Sequence, residues 1–589
     1  MPPVLHIDNL GVSFSNGQGQ HHALRNASFS VNRGEIVALV GESGSGKSVT
    51  ALSVLQLLPP DTTHYAGSIW FAENGRPPID LLKAGAGQLR SFRGGRIGMI
   101  FQEPMTSLNP VTTCGKQVME AVRIHRRMTT AAAREKTIAL FEKVQLPDPT
   151  DMFNRYPHQL SGGQKQRVMI AMAMSAEPAL LICDEPTTAL DVTVQQTILE
   201  LIRTLQRETG MAVIFITHDL ALVAEIADRV VVMYQGNIVE QGNVQTIMLH
   251  PSHPYTQALL ACRPELHRRG DRLPVVADFL GNDDTAKSVY PTAVVKGKDT
   301  DLTGTIPSPG ILLEVKHLSV WFPEQKSFTG RVLRFSRAVD DVSFAVQRGE
   351  TLGLVGESGC GKTTLSRALL RLIEPTSGEI IFNGHNWLQY PPATLRSSRK
   401  QLQIIFQDPY SALNPSITVG NALMEVLRVH YPQDPVSVRR RRVADLLAKV
   451  GLLPEHANRY PHAFSGGQRQ RVVIARALAT SPSFLICDES VSALDVSVQA
   501  QVLNLLNDLK KEFGFTIIFI SHNLSVVHYI SDRIMVMQQG KIVETGTADQ
   551  VYHHPTEAYT RRLIAAIPEI PAAAGSRRQD FLQHPGTLP

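Results

Sequence analysis

Two glycine-rich segments carry the residue types that bind nucleotide phosphates. VGESGSGKSV, from Val40, and VGESGCGKTT, from Val355, both follow an apolar run and fit the spacing G-x-x-x-x-G-K-[ST]. The N–H groups of such a loop, at the start of a helix, point at anions. We expect the lysine to reach the β- and γ-phosphates and the next hydroxyl to ligate Mg²⁺. The predicted phosphate-site residues are Gly41, Glu42, Ser43, Gly44, Ser45, Gly46, Lys47 and Ser48, with Gly356, Glu357, Ser358, Gly359, Cys360, Gly361, Lys362 and Thr363.

An acidic pair closes a short apolar run in each half of the chain. Asp184 and Glu185 follow LLIC, and Asp488 and Glu489 follow FLIC. Open α/β sheets place ligand sites at the carboxyl ends of their strands, and two adjacent acids there would be costly to bury without a cation. We predict that Asp184 and Asp488 hold Mg²⁺ and that Glu185 and Glu489 orient or deprotonate the attacking water.

Two further motifs favour phosphoryl transfer. His218 and His522 close the β-rich runs VIFIT and IIFIS, and we expect them to contact the γ-phosphate. S-G-G-Q stretches precede predicted helices and would supply a second anion site in each half. A γ-phosphate held from both sides suits a reaction that depends on positioning and charge stabilisation. The residues predicted for this second anion site are Ser161, Gly163, Ser465 and Gly467.

The chain is an internal duplication. The same 304 positions separate the serines of the two S-G-G-Q stretches, Ser161 and Ser465, and the two histidines, His218 and His522. Short β-branched runs alternate with helical segments in both copies, which predicts largely parallel sheets covered by helices. We predict one domain over 1–265, a linker rich in Gly, Pro and charge over 266–310, a second domain over 311–570 and a loosely ordered tail over 571–589.

Composition excludes several classes of protein. The 589 residues are 43% hydrophobic and 19% charged, and no apolar run reaches the length of about 18 residues that a membrane span needs. A net charge of +5 is mild for this length and does not favour nucleic-acid binding. The five cysteines are never spaced C-x-x-C, which argues against a disulfide framework and a zinc site. Because Cys360 lies near a helix N-terminus, we expect a lowered thiol pKa and alkylation that bound ATP prevents.

The ordered motifs resemble those of ATP-binding-cassette ATPases over nearly the whole chain outside linker and tail. The resemblance implies an α/β fold of two tandem P-loop NTPase domains. Each would have a RecA-like, mostly parallel sheet core, an antiparallel β region and a helical subdomain. It also implies head-to-tail pairing, with two ATP molecules each held by one copy's phosphate loop and the other copy's signature. The resemblance further implies Gln102 and Gln407 as Q-loop ligands near Mg²⁺, and Asp191 and Asp495 as D-loop residues that link the two ATP sites. It places Phe14 and Phe322 beside adenine, although packing in the core is the alternative role for both.

Specific phrases resemble the oligopeptide, dipeptide and nickel importer branch of bacteria. They are FQEPMTSLNP and FQDPYSALNP, RYPHQLSGGQ and RYPHAFSGGQ, and HPYTQALLA and AYTRRLIAAIP. Fused ATPases of glutathione and microcin-peptide importers share this organisation. The segments FQEPMTSLNPV in the first half and CDESVSALDVS in the second favour the glutathione type. The resemblance implies two permease subunits, an extracytoplasmic substrate-binding protein, a peripheral position on the cytoplasmic face of the inner membrane, and a peptide that does not bind this chain directly.

Alternatives stay open at this point. They are the ATPase of another small-peptide importer, an exporter ATPase, a binding-only module and a soluble tandem cassette protein acting on ribosomes or DNA. Some relatives carry an iron–sulfur motif after the cassette, but only Cys262 lies in that region, so we expect no cluster. The second copy departs from the first at Phe464, Ser490 and Asn523, none of which is expected to touch the reacting phosphate. We therefore expect two hydrolysing sites, whose activities need not be equal.

Overall fold

A computed structural model describes most of the chain. The described residues are 2–16, 19–73, 76–103, 107–188, 190–280, 310–326, 332–492 and 494–568. Most of the predicted linker and the whole predicted tail lie outside these ranges. Within them, no helix combines the length and the apolar character that crossing a membrane requires.

Each copy is built on a six-stranded sheet whose central strands are buried along their whole length. Sequences such as IVALV (β3) and FLICD (β17) show no alternation because helices cover both faces of a parallel sheet. The order in the first copy is β10-β9-β3-β8-β7-β6, with only β10 antiparallel, and the second copy repeats it as β20-β19-β13-β18-β17-β16. The strands of these two sheets are β3 Ile36–Val40, β6 Ile97–Ile100, β7 Leu180–Asp184, β8 Ala212–Thr217, β9 Arg229–Tyr234 and β10 Asn237–Asn243, then β13 Thr351–Val355, β16 Leu402–Ile405, β17 Phe484–Asp488, β18 Thr516–Ile520, β19 Arg533–Gln538 and β20 Lys541–Thr547.

A separate antiparallel sheet of four strands accompanies each parallel sheet. Its order is β2-β1-β4-β5 in the first copy and β12-β11-β14-β15 in the second. The strands are β1 Leu5–Asn16, β2 Gly19–Val31, β4 Thr63–Phe71 and β5 Ile79–Asp80, then β11 Ile311–Lys326, β12 Val332–Gln347, β14 Ser377–Phe382 and β15 His385–Asn386. The predicted combination of a parallel core with an antiparallel region is therefore confirmed.

Helices cover the sheets and form an insertion between the Q-loop strand and the strand that ends in the acidic pair. In the first copy the helices are α1 Lys47–Val54, α2 Ala86–Phe92, α3 Cys114–Arg126, α4 Thr130–Lys143, α5 Pro149–Asn154, α6 Gly162–Ala173, α7 Val192–Thr209, α8 Leu220–Ile226, α9 Val244–Leu249, α10 Pro254–Ala261 and α11 Val276–Phe279. In the second they are α12 Lys362–Leu369, α13 Pro392–Ser398, α14 Pro409–Ala412, α15 Val419–His430, α16 Val436–Lys449, α17 Gly466–Leu478, α18 Val496–Phe513, α19 Leu524–Ile530, α20 Ala548–His553 and α21 Ala558–Ala565. The insertions comprise α3–α6 and α14–α17 and form the helical subdomain that the family resemblance implies.

The end of the first copy packs on the second. Leu273 is buried, and its backbone exchanges two hydrogen bonds with the amide of Asn504, at 2.9 and 2.8 Å. The hydroxyl of Tyr529 donates to the carbonyl of Asp271 at 2.6 Å. Segment 266–280, the first part of the predicted linker, is therefore held against α18 and α19.

Candidate functional site

The phosphate loop of the first copy joins β3 to α1. Gly46 has a φ of 104°, and a Cβ there would lie 2.5 Å from Leu24 Cδ2, so only glycine fits this turn. The buried ammonium of Lys47 donates to the carbonyls of Gly41 and Glu42 at 2.6 and 2.9 Å. These bonds hold the lysine ammonium inside the loop.

Asp184 lies at the carboxyl end of β7, beside the start of α1. The hydroxyl of Ser48 donates to Asp184 Oδ1 at 3.0 Å. Burial, followed by the neighbouring charge of Glu185, raises the pKa of Asp184, although the bond from Ser48 opposes the shift. Two oxygen donors therefore meet at the predicted Mg²⁺ position.

Glu185 is the centre of a polar network. Its Oε2 accepts from Gln102 Nε2 at 3.2 Å and from the hydroxyl of Thr188 at 2.8 Å, and lies 3.4 Å from His218 Nδ1. Burial alone would raise the pKa of Glu185, but His218 outweighs burial and lowers it. Burial likewise opposes the charged form of His218, while the Glu185 carboxylate raises the pKa of that imidazole. Each group of the pair therefore favours the charged form of the other.

The second copy repeats this geometry with looser contacts around the aspartate. Lys362 donates to the carbonyls of Gly356 and Glu357 at 2.7 and 2.9 Å. Thr363 Oγ1 lies 3.5 Å from Asp488 Oδ1, whose pKa is raised by burial and then by Glu489.

The second glutamate again has the Q-loop and histidine partners. Gln407 donates to Glu489 Oε2 at 2.7 Å, and His522 Nδ1 lies 3.7 Å from the same oxygen. Burial favours the neutral form of Glu489, yet His522 lowers its pKa overall. All of the predicted phosphate-loop, acidic, glutamine and histidine residues of one copy therefore converge within that copy.

Both catalytic glutamate candidates have a strained backbone. The φ angles of Glu185 and Glu489 are 47° and 48°, in the left-handed region that costs an ordinary residue about 1–2 kcal/mol. Each glutamate N–H donates to a carbonyl at the end of the next strand, that of Ile216 or Ile520. The sheet therefore holds an unfavourable conformation that aims the carboxylate at the loop.

The signature residues remain within their own copy. Ser161 and Ser465 cap α6 and α17, and their side chains accept from the N–H groups of Gln164 and Gln468. A Cβ on Gly163 or Gly467 would lie 2.7 or 2.3 Å from a valine Cγ1 at the start of α7 or α18. The predicted positions of these residues against the opposite phosphate loop stay a prediction.

The two aromatic candidates differ in their surroundings. Phe14, on β1, is partly buried against the core of the antiparallel sheet, whereas Phe322, on β11, is 40% exposed. A role beside adenine stays a prediction for both.

Contacts between the copies run through the D-loops. Asp495 Oδ2 accepts from the N–H of Ser43 at 2.8 Å, and the hydroxyl of Ser497 donates to Glu42. In the other direction, Thr193 Oγ1 lies 3.0 Å from Glu357 Oε1. Each phosphate loop therefore contacts the D-loop region of the opposite copy.

Two tyrosines that support the phosphate loops were missed as site residues. Tyr255 Oη accepts from the N–H of Glu42 at 2.9 Å, and Tyr559 Oη accepts from the N–H of Glu357 at 3.0 Å. Both tyrosines are buried on the helices α10 and α21. The repeated Tyr-Thr pair in HPYT and EAYT was the available signal, but spacing alone did not connect it to a loop some 200 residues away.

The expectation of a lowered thiol pKa at Cys360 is wrong, and its alkylation stays a prediction. Burial raises the pKa of this thiol, and the opposing effect of Lys362 is smaller. The side chain is 6% exposed and belongs to the buried apolar cluster that includes Leu354 and Met537. The helix start that was expected to lower the pKa is outweighed by loss of solvent.

Comparison with known proteins agrees with this geometry. The ABC transporter family matches residues 24–188 and 339–492, more than half of the chain. The chain belongs to the ABC transporter family. It is an ATP-hydrolysing subunit, and each copy is one cassette. The C-terminal region of oligopeptide and dipeptide transporters also matches twice, at residues 239–282 and 543–585, which places the cassettes in a peptide transporter.

Curated relatives match almost from end to end. The glutathione import ATP-binding protein of Pectobacterium atrosepticum is 49% identical over 584 residues, covering 98% of this chain and 91% of that protein. The protein of the same name from Escherichia coli K12 is 49% identical over 575 residues, covering 96% and 89%. A solved cassette dimer in a post-hydrolysis state with ADP and Pi is 26% identical, covers 40% of this chain and 98% of its own, and has a TM-score of 0.36.

Proposed function

We propose that this chain energises import of glutathione across the bacterial inner membrane by hydrolysing ATP at two sites. The observation that carries the proposal is the convergence, in both cassettes, of a phosphate-loop lysine, an aspartate, a glutamate and a histidine at the carboxyl ends of parallel strands. The cargo is inferred from relatives at 49% identity that are named for glutathione import.

The residues present fit Mg²⁺ at both sites. The Ser48 hydroxyl and the Asp184 carboxylate supply the hard oxygen ligands that this ion prefers, and Thr363 and Asp488 repeat the pair. A nearby cation would favour the ionised form of an aspartate whose pKa burial has raised. When bound, Mg²⁺ would neutralise negative charge that develops on the phosphate oxygens during transfer. Gln102 and Gln407 would complete the oxygen ligands through their side-chain carbonyls.

Each glutamate serves as the group that orients the attacking water and accepts its proton. A lowered pKa keeps Glu185 and Glu489 ionised at neutral pH, as a proton acceptor requires. His218 would place positive charge beside the γ-phosphate, while Lys47 would exchange its loop carbonyls for phosphate oxygens. Most of the rate enhancement would come from this fixed arrangement of charges, as is usual in phosphoryl transfer.

Closure of the two cassettes around ATP would complete each site. Ser465 and Gly467 would meet the γ-phosphate at site one, and Ser161 and Gly163 would do so at site two. The helix starts of α6 and α17, where the signature serines are the caps, carry the positive end of the helix dipole and so suit an anion. The existing D-loop contacts to both phosphate loops support this pairing, because they already bring the cassettes together there.

The chain would work on the cytoplasmic face of the membrane, beside two permease subunits. The chain segment after Gln407 in the second cassette lines a groove of about 410 Å³. Its lining residues include Tyr410, Leu413 and Ile417. Tyr410 is 64% exposed, and the Arg469 guanidinium lies 4.0 Å from its ring centre. Such a groove, which Glu425 and Arg476 also line, suits the end of a permease helix. The peptide would be chosen by the permeases and by an extracytoplasmic binding protein.

Uptake by cells that lack this chain tests the proposal. Labelled glutathione and a labelled dipeptide are supplied to cells carrying wild type, Glu185→Gln/Glu489→Gln or no chain. The proposal predicts that only wild type restores glutathione uptake. Restoration of dipeptide uptake alone would overturn the cargo, and restored uptake with the double variant would overturn the role of hydrolysis.

A further inference from the structure

Three metal-ligating side chains, none of them assigned to a nucleotide site, lie together in the second cassette. His528 belongs to α19, and Asp549 and His553 lie one turn apart on α20. Their ligand atoms all lie within 4.8 Å of one another. His528 Nε2 is already 2.8 Å from Asp549 Oδ1. We propose that these three residues form a binding site for a first-row divalent transition metal such as Zn²⁺.

The chemistry of the ligand set selects this class of ion. Two imidazoles and one carboxylate suit Zn²⁺ and Co²⁺, whereas Mg²⁺ and Ca²⁺ prefer oxygen ligands alone. Zinc lies about 2.0–2.2 Å from such ligands, so tetrahedral donors are about 3.4 Å apart. Because the donor atoms lie within 4.8 Å of one another, they need to shift by at most about 1.4 Å to reach this spacing. Asp549 and His553 are exposed and can move, with a water as the fourth ligand.

The first of these histidines is held in place by its neighbours. The side chain of His528 is only 17% exposed, and its ring stacks on Tyr552 with centroids 4.3 Å apart. The ring of His553 stands nearly perpendicular to that of His528, at 5.3 Å. One ligand is thus fixed by packing, and two adaptable ligands lie at i and i+4 on a single helix face.

The first cassette provides an internal comparison. The equivalent residues, 304 positions earlier, are Ala224, Gln245 and Leu249. The same helices, α8 and α9, occur there and carry none of the three ligands. The cluster is therefore not needed to build this part of the fold. The metal would join α20 to α19, whose first residue lies two positions after His522.

Zinc binding by the untagged full-length chain tests the site. Equilibrium dialysis should find one Zn²⁺ per chain that is lost, or bound at least about tenfold more weakly, in His528→Ala/Asp549→Gln/His553→Leu. In that variant each ligand is replaced by the residue found at the equivalent position of the first cassette. Circular dichroism checks that the variant is folded. The matched control, His21→Ala/His22→Ala, removes histidines elsewhere and should leave binding unchanged.

A second measurement identifies the ligands. Co²⁺ bound at this site should give the visible absorption of tetrahedral coordination, which Zn²⁺ displaces and the single variant His553→Leu abolishes. The wild-type chain should also gain thermal stability with Zn²⁺, because binding to the folded state alone stabilises it. Equal Zn²⁺ binding by the wild type and the triple variant, or no binding by the wild type, would overturn the proposal.

Discussion

The carboxylate of Asp495, in the second cassette, accepts a hydrogen bond from the backbone N–H of Ser43 in the phosphate loop of the first, at 2.8 Å. Its counterpart Asp191 behaves differently. Asp191 accepts from the N–H of Val194 and so caps its own helix, α7, whereas Asp495 makes no side-chain cap on α18. The two D-loops are therefore unequal, and only the D-loop aspartate of the second cassette takes a phosphate-loop donor.

Replacing Asp495 by alanine should tighten nucleotide binding at site one. The aspartate competes with phosphate for the Ser43 N–H, and a charged hydrogen bond of about 1.5–3 kcal/mol corresponds to at least about tenfold in affinity. Binding of a non-hydrolysable ATP analogue is measured in a Lys362→Ala background, so that only site one responds.

Asp191→Ala is the matched control. In a Lys47→Ala background it should leave affinity at site two unchanged, but loss of the cap should reduce the free energy of unfolding by about 1 kcal/mol. Weaker analogue binding by Asp495→Ala would show that the aspartate supports the loop instead of competing with phosphate.

The tyrosines of the C-terminal regions should be required for tight ATP binding. In Tyr255→Phe the buried N–H of Glu42 loses its acceptor, which costs about 1–3 kcal/mol and loosens the phosphate loop. We expect an increase in KM for ATP in steady-state hydrolysis. Tyr431→Phe, which removes a hydroxyl bonded to the Thr480 carbonyl away from both sites, should not change KM. An equal change in KM in both variants would contradict the assignment.

Glu544 should make stability depend on pH. Burial favours its neutral form, but hydrogen bonds from Thr556 and the N–H of Glu557 outweigh burial and lower the pKa. A lowered folded-state pKa contributes stability above the unfolded value near 4.5, and this contribution is lost as pH falls through the folded value. Glu544→Gln should therefore destabilise the chain by about 1–3 kcal/mol at pH 7.

The difference between Glu544→Gln and wild type should shrink as the pH falls below 4.5. Urea unfolding at a series of pH values measures it. A destabilisation that stays constant from pH 7 to pH 3 would contradict the charge-based explanation.

The sequence predicted those parts of the site that each lie at the end of one buried strand. Asp184 and His218 follow apolar runs, so the parallel sheet brings them to one edge without further information. The helical insertion was also predictable, because AAAREKTIALFEKV has helix formers throughout and lies within α4 and its C-terminal end. Periodicity and strand order were sufficient for these features.

Contacts that depend on distant packing were not predictable in this way. Tyr255 and Glu42 are separated by 213 positions, and Leu273 and Asn504 by 231. The Cys360 thiol was misjudged because its place in the loop was known but its burial was not. The different hydrogen bonding of the two D-loop aspartates was also not predictable from sequence, since Asp191 and Asp495 lie in nearly the same local sequence.

The central claim, two hydrolysing sites that drive import, is tested most directly in proteoliposomes containing this chain with its permeases. ATP hydrolysis and accumulation of labelled glutathione are measured together for wild type, Glu185→Gln and Glu489→Gln. Since both glutamates have the same network of glutamine and histidine, each single variant should lose most of its hydrolysis and transport. Wild-type turnover by Glu489→Gln, together with complete loss in Glu185→Gln, would contradict the account.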